Sequence, residues 1–192
     1  MSLRKRRPSP YPSPRRCGER ELLARVHSPS PRARGYGEGR LSRYISPMHL
    51  AQVNIARMKA SLDSPVMAGF VARLDEINAL ADGSAGFVWR LQTPEGNATY
   101  LRPYDDERIL FNLSVWESVE ALKQYVYRTA HAELLRDRRS WFEQFESSYV
   151  ALWWVPAGHI PEIEEAKARL AHLEQNGPSP FAFTFKALYP SD

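Results

Sequence analysis

The sequence predicts an α+β domain whose mostly antiparallel sheet carries its helices on one face. Three observations predict it. Segments with apolar residues at every second position alternate with segments whose apolar residues recur at helical spacing. Their order is strand, helix, strand, strand, helix, strand, with one further helix and strand at the end. Capping residues, prolines and glycines fall at the junctions between them.

The first strand is HLAQVNIAR (49–57), where apolar and polar residues alternate. Ser64-Pro65 then supplies a helix cap followed by a proline at the first helical position, and Val66, Phe70, Leu74, Ile77 and Ala81 form a helical stripe that stops at Asp82-Gly83. GFVWRLQT (86–93) is the second strand. The turn residues of TPEGNAT and the polar run RPYDDER form the loop to a third strand, ILFNLSVW (109–116). Ser118 caps a helix carrying Val119, Leu122 and Val126, which breaks near Thr129 and resumes to about Phe145. YVALWWV (149–155) is nearly all apolar and reads as a central strand covered on both faces. Pro161 starts a last helix with Ile163, Leu170 and Leu173 inward and a stop at Asn176-Gly177. Residues 182–188 close the chain as a fifth strand.

This order is the split βαβ plan of ferredoxin-like domains. Alternation sorts the strand residues into two faces. Val53, Ile55, Phe87, Leu91, Phe111, Leu113 and Val115 make an apolar set that belongs under the helices. Gln52, Asn54, Arg90, Gln92, Asn112, Ser114 and Trp116 make a mixed set suited to a wet dimer interface or a pocket lining.

Charge divides the chain differently. Residues 1–47 hold 12 Lys/Arg against 3 Asp/Glu and 7 of the 15 prolines, for a net charge of +9, while residues 48–192 carry −5. Such an Arg-, Pro- and Ser-rich stretch cannot bury enough surface to offset its ordering entropy, so it reads as a disordered extension. Upstream sequence from a mis-assigned start, a nucleic-acid-binding tail and a targeting peptide are the competing accounts of it. The acidic balance of residues 48–192 argues against nucleic acid as a partner of the domain itself. Cys17 is the single cysteine and lies in the extension, which excludes disulfides, a cysteine-based metal site and a cysteine nucleophile from the domain. No apolar run approaches a membrane span, and the expected setting is cytoplasmic. No glycine-rich phosphate loop, GxSxG elbow or metal-ligand spacing occurs, so neither a nucleotide cofactor nor a metal is expected.

SVWESVEAL followed by TAHAEL carries a resemblance. A strand ending in VWES, a helix opening with VEAL and a histidine on the next helical segment resemble the dimeric α+β barrel superfamily, which includes antibiotic-biosynthesis and haem-degrading monooxygenases. The run from MHLAQVNIAR through GFVWRLQT, SVWESVEALKQYVYRTAH and WWVPAGHIP to AFTFKALY resembles more closely an uncharacterised bacterial family of that superfamily, from Met48 to about Pro190. The resemblance implies a homodimer in which two sheets face each other, with a small-molecule pocket between helices and sheet. It also implies a monooxygenase-like activity without a nucleotide cofactor. In the haem-degrading branch an Asn on the first strand, a Trp and a helix His form the site, and Asn54, Trp116 and His131 match them here; haem is thereby a candidate ligand.

Those three are the candidate catalytic residues, and Arg90, Arg138, Trp89 and Asn112 the candidate substrate-binding ones. His131, Leu135, Arg138 and Phe142 fall on one helix face, so His131 is placed as a proton shuttle or axial ligand, with Arg138 or Arg139 holding an anionic group. Asn54 breaks the usual preference against Asn inside a strand, which marks it as a site residue or an interface hydrogen bond. The bland alternatives are a backbone-bonded His131 and tryptophans that serve only as packing anchors. A non-catalytic binding or structural dimer is the rival to an enzyme.

Overall fold

Four strands pair antiparallel in the order β2-β3-β1-β4, where β1 is Met48–Arg57, β2 Phe87–Arg90, β3 Ile109–Trp116 and β4 Val150–Pro156. This computed structural model describes residues 47–94, 96–144 and 149–191. The predicted disordered extension lies outside the described residues up to residue 46, as does Cys17. Between β1 and β2 run α1 (Ala68–Val71) and α2 (Leu74–Asp82). Between β3 and β4 run α3 (Val119–Arg128), α4 (His131–Asp137) and a single 3₁₀ turn, Arg138–Ser140; α5 (Ile163–Asn176) follows β4. With β3 inserted between β1 and β2, this is the ferredoxin-like arrangement.

The local signals act as expected at most junctions. The Ser118 hydroxyl accepts the Ala121 N–H at 3.1 Å and starts α3. Thr129 is extended and ends it, its hydroxyl donating to the Tyr125 carbonyl. Gly177 takes φ 75° after α5, a conformation that favours glycine.

The sheet has two different faces. Odd positions of β1 (Ala51, Val53, Ile55) lie with Phe111, Leu113, Val115, Trp153 and Val155 in the largest apolar cluster, closed by Ala166, Leu170 and Leu173 of α5. Each fully buried side chain of this size stabilises the fold by about 1.5–3 kcal/mol. Even positions face α1, α2 and α3. At one end Leu50, Trp116 and Leu152 pack with Ala81, Val119, Leu122 and Phe183, and at the other Met58 and Leu110 pack with Met67.

Several expectations are corrected here. The βαβ helices do share one face, but they cover the mixed set, and the apolar set lies under α5. The apolar face is thus closed within one chain by Ala166, Leu170 and Leu173 of α5. A bulge between Phe87 and Trp89 shifts the register against β3. It sends Phe87 to the Trp116 side and leaves Trp89 and Leu91 against the apolar cluster, because one inserted residue inverts the alternation. Val66 is exposed and Met67 fully buried, so the stripe of the first helical stretch starts one residue later. That stretch is two short helices broken at Ala72–Arg73.

β4 is an edge strand, although both of its faces are covered. The fifth strand is reduced to one bridge, in which Leu152 and Phe183 exchange backbone hydrogen bonds at 2.8 Å, before a turn from Thr184 to Ala187 leads away. Phe142 leaves the helix face shared with His131 and bridges Met58 in the sheet direction.

Candidate functional site

Four polar residues cross the middle of the helix-covered face. Opposite one another on β1 and β3 stand Gln52 and Ser114, then Asn54 and Asn112. Apolar rows lie on either side: Leu50 with Trp116 at one end, Ala56 with Leu110 at the other. Gln52, Asn54 and Ser114 are half-buried and Asn112 is exposed, so the row opens to solvent at its Asn112 end.

These groups form one directed chain of hydrogen bonds. The Trp116 Nε1–H donates to Ser114 Oγ at 3.0 Å, Ser114 donates to Gln52 Oε1 at 2.9 Å, and Gln52 Nε2 donates to Asn54 Oδ1 at 2.9 Å. An indole nitrogen can only donate, so Ser114 Oγ is the acceptor of that bond and keeps its own hydrogen for Gln52 Oε1. Asn54 is left with its oxygen satisfied and its NH2 group unengaged among the described residues.

Trp116 is 1% exposed, with Phe87 edge-on at 5.3 Å and Tyr125 stacked at 5.1 Å. Any influence it has on a ligand passes through Ser114 or through the Tyr125 ring. A group seated against Trp116, as the haem-degrading pattern implies, finds no open surface there, and these residues do not fit haem.

Tyr125 also carries His131, ring to ring at 4.8 Å. His131 opens α4, and its Nδ1 lies 3.3 Å from the Val126 carbonyl. A carbonyl can only accept, so Nδ1 holds the proton and Nε2 is the basic nitrogen. Burial pushes the imidazole below the ordinary histidine value, partly offset by the Val126 carbonyl. His131 is therefore neutral at pH 7. Burial also drives the Tyr125 hydroxyl up, with Arg90 pulling it down and Asp82 pushing it up.

The structure thus links Asn54, Trp116 and His131 through Gln52, Ser114 and Tyr125. Tyr125 was not legible as a site residue, because nothing in its spacing announces the stack. Gln52 and Ser114 each stand two residues from a candidate on the same strand face, and that spacing was the available signal.

The substrate-binding candidates scatter. Asn112 adjoins Asn54. Arg90 is held by Asp82 through Nε at 2.7 Å and a second nitrogen at 3.0 Å, and also donates to the Gly96 carbonyl at 2.8 Å. Its guanidinium ties α2 to the turn after β2 and is not free for a substrate anion. Trp89 packs on the opposite face of the sheet. Arg138 lies past the end of α4, over the Tyr149 ring at 5.8 Å. His159, expected to be isolated, bonds Glu165 at 2.8 Å, whose other oxygen accepts the Trp153 indole N–H at 2.8 Å. Among the described residues no group of three His, Cys, Asp or Glu could hold a metal. Asp106 of the RPYDDER loop instead pairs with Arg57.

Fold and site together define a ferredoxin-like α+β domain with a directed polar chain between sheet and helices. The chain belongs to a family described as a domain of unknown function (DUF3291), whose model matches residues 49–192. No curated protein matches it. Among solved structures it is similar to SnoaB, a cofactor-independent oxygenase from Streptomyces nogalater, at 17% identity and a TM-score of 0.41, over 59% of this chain and 98% of that one. It is also similar to a protein of unknown function from Nitrosomonas europaea, at 13% identity and a TM-score of 0.39, over 61% and 98%.

Proposed function

We propose that the protein is a small-molecule enzyme of the monooxygenase type that works without a nucleotide cofactor, with its site in the polar row at Asn54 and Asn112. The observation that carries this reading is the directed chain ending at Asn54. It presents an amide NH2 of fixed orientation on a half-buried face, which is what a developing enolate oxygen requires. His131, neutral and with Nε2 unprotonated, is the candidate base. In the reaction a substrate methylene between activating groups loses a proton to the base. The carbanion then passes electrons to oxygen, one oxygen atom enters the product as a ketone, and the other leaves with two hydrogens as water. Asn112 contacts the substrate, and a homodimer is part of this reading.

The test is oxygen uptake by the full chain with aromatic ketones that carry an acidic methylene. One oxygen consumed per ketone formed, label from heavy oxygen gas in the product, and a loss of about a hundredfold or more in kcat for Asn54→Ala and for His131→Ala are expected. Uptake unchanged in both variants, or none across the ketones, would overturn the proposal.

A specific observation also favours a non-catalytic dimer. Asn54 Oδ1 and His131 Nδ1 are both satisfied by protein groups. In that case Asn54→Ala costs stability and changes no turnover. Sedimentation of the full chain tests the dimer common to both readings, and a monomer at all concentrations would remove it.

A further inference from the structure

We infer that Ser179, His172 and Asn176, at the end of α5, form a nucleophilic site that takes up the acyl group of an aryl ester. His172 and Asn176 stand four residues apart on α5 and so share a face of it. Gly177 then turns the chain, and Pro178-Ser179-Pro180-Phe181 lies back against that face, with the Phe181 ring 5.0 Å from the imidazole. The two prolines restrict the backbone on either side of Ser179, so its hydroxyl is held in place with little further loss of entropy. Two bonds pin the turn: the Ser179 N–H donates to the Ala182 carbonyl at 2.9 Å, and the Arg169 guanidinium donates to the Phe181 carbonyl at 2.7 Å.

The three side chains stand as nucleophile, base and orienting group. Ser179 Oγ lies 2.8 Å from His172 Nε2, and the Asn176 carboxamide lies 3.3 Å from His172 Nδ1. With the amide nitrogen on Nδ1, Nε2 carries the ring hydrogen and donates to Oγ, which is the resting form. Asn176 is exposed, and half a turn of its carboxamide puts Oδ1 on Nδ1. The ring hydrogen then sits on Nδ1, and Nε2 receives the hydrogen of the serine. In the reaction Oγ attacks the carbonyl carbon of the ester, its proton passes to Nε2, and the bond to the aryl oxygen breaks. Nε2 hands that proton to the departing aryl oxide. Water then attacks the acyl-serine by the same route, releasing the acid and restoring Ser179. The Phe181 N–H, which donates to Oγ at 3.2 Å, is placed to donate to the acyl oxygen once Oγ gives up its lone pair. Phe181 is 45% exposed and offers its ring as a stacking surface for the aryl group. None of these residues takes part in the proposed oxygenation.

The test is incubation of the full chain with p-nitrophenyl acetate, followed by mass spectrometry of the intact chain and of its peptides. Release of about one p-nitrophenolate per chain ahead of slower turnover is expected, with a single acetyl group on Ser179. Ser179→Ala should remove both. His172→Gln keeps a hydrogen-bonding side chain beside Ser179 and should slow acylation about a hundredfold. Asn176→Asp, an acceptor only, holds the imidazole in its reactive form and should acylate faster than Asn176→Leu, a difference that a group merely fastening the chain end would not produce. Acetyl groups confined to lysines or to other hydroxyls of the parent chain, or no acetyl group at all, would overturn the inference. So would an unchanged rate in His172→Gln with the circular dichroism of the parent, or equal rates in the two Asn176 variants.

Discussion

The indole N–H of Trp116 donates to the hydroxyl of Ser114 at 3.0 Å, and through Ser114 and then Gln52 a fully buried ring is linked to the amide of Asn54 on the neighbouring strand. The donor-only nitrogen at one end fixes Ser114 Oγ as the acceptor of that bond. A serine hydroxyl alone could rotate either way.

A double-mutant cycle on Trp116→Phe and Ser114→Ala should therefore show coupling. Ser114→Ala leaves both the indole N–H and Gln52 Oε1 without partners, at a cost of about 1–3 kcal/mol. Placed on Trp116→Phe, the same change orphans only Gln52 and should cost about 1 kcal/mol less. Urea unfolding of the four proteins checks this. Strictly additive costs would mean that the bond contributes nothing.

His131 should make stability depend on pH in one direction. Its folded-state value is depressed by burial, so the unfolded chain binds the proton more readily. The stabilising contribution of the neutral ring is thus complete above about pH 6.5, the ordinary histidine value, and is lost as pH falls below it towards the folded-state value. His131→Asn keeps an N–H for the Val126 carbonyl and cannot titrate. Between pH 7.5 and 5.5 the parent should lose more stability than His131→Asn, measured by urea midpoints at each pH. Equal losses in both would rule the effect out.

Gly86 joins β2 to α3 at a distance that only glycine allows. It has φ 76°, and a Cβ there would lie 2.7 Å from the Ala121 Cβ, while its carbonyl accepts the Glu117 N–H at 2.7 Å. Gly86→Ala combines left-handed strain with overpacking against α3 and should cost about 2–4 kcal/mol. Gly158 has φ 88° with nothing within 4 Å of its Cβ position, so Gly158→Ala should cost about 1–2 kcal/mol from strain alone. Thermal melts of both variants compare the two, and equal losses would mean that the approach of α3 is not tight.

How much was legible depended on how local each signal was. The caps at Ser118 and Gly177, the break at Thr129 and the alternation in β1 and β3 act within a few residues and were readable. The bulge that moves Phe87 to the other face was not, because register is settled against the partner strand. The fifth strand failed for a related reason: Ala182 to Leu188 has suitable residues, yet only Phe183 finds a partner along β4. Arg90 stood in the mixed set with Asn54 and Asn112, but Asp82, eight residues earlier, had already claimed it.

By itself the sequence determined the element order, the family to which the chain belongs, and the existence of two unlike sheet faces, because periodicity and caps are properties of neighbouring residues. Only the tertiary structure decided which face each helix covers. It also decided that Asn54, Trp116 and His131 are joined through Gln52, Ser114 and Tyr125, since hydrogen-bond direction and ring stacking exist only once β1, β3 and α3 are packed together.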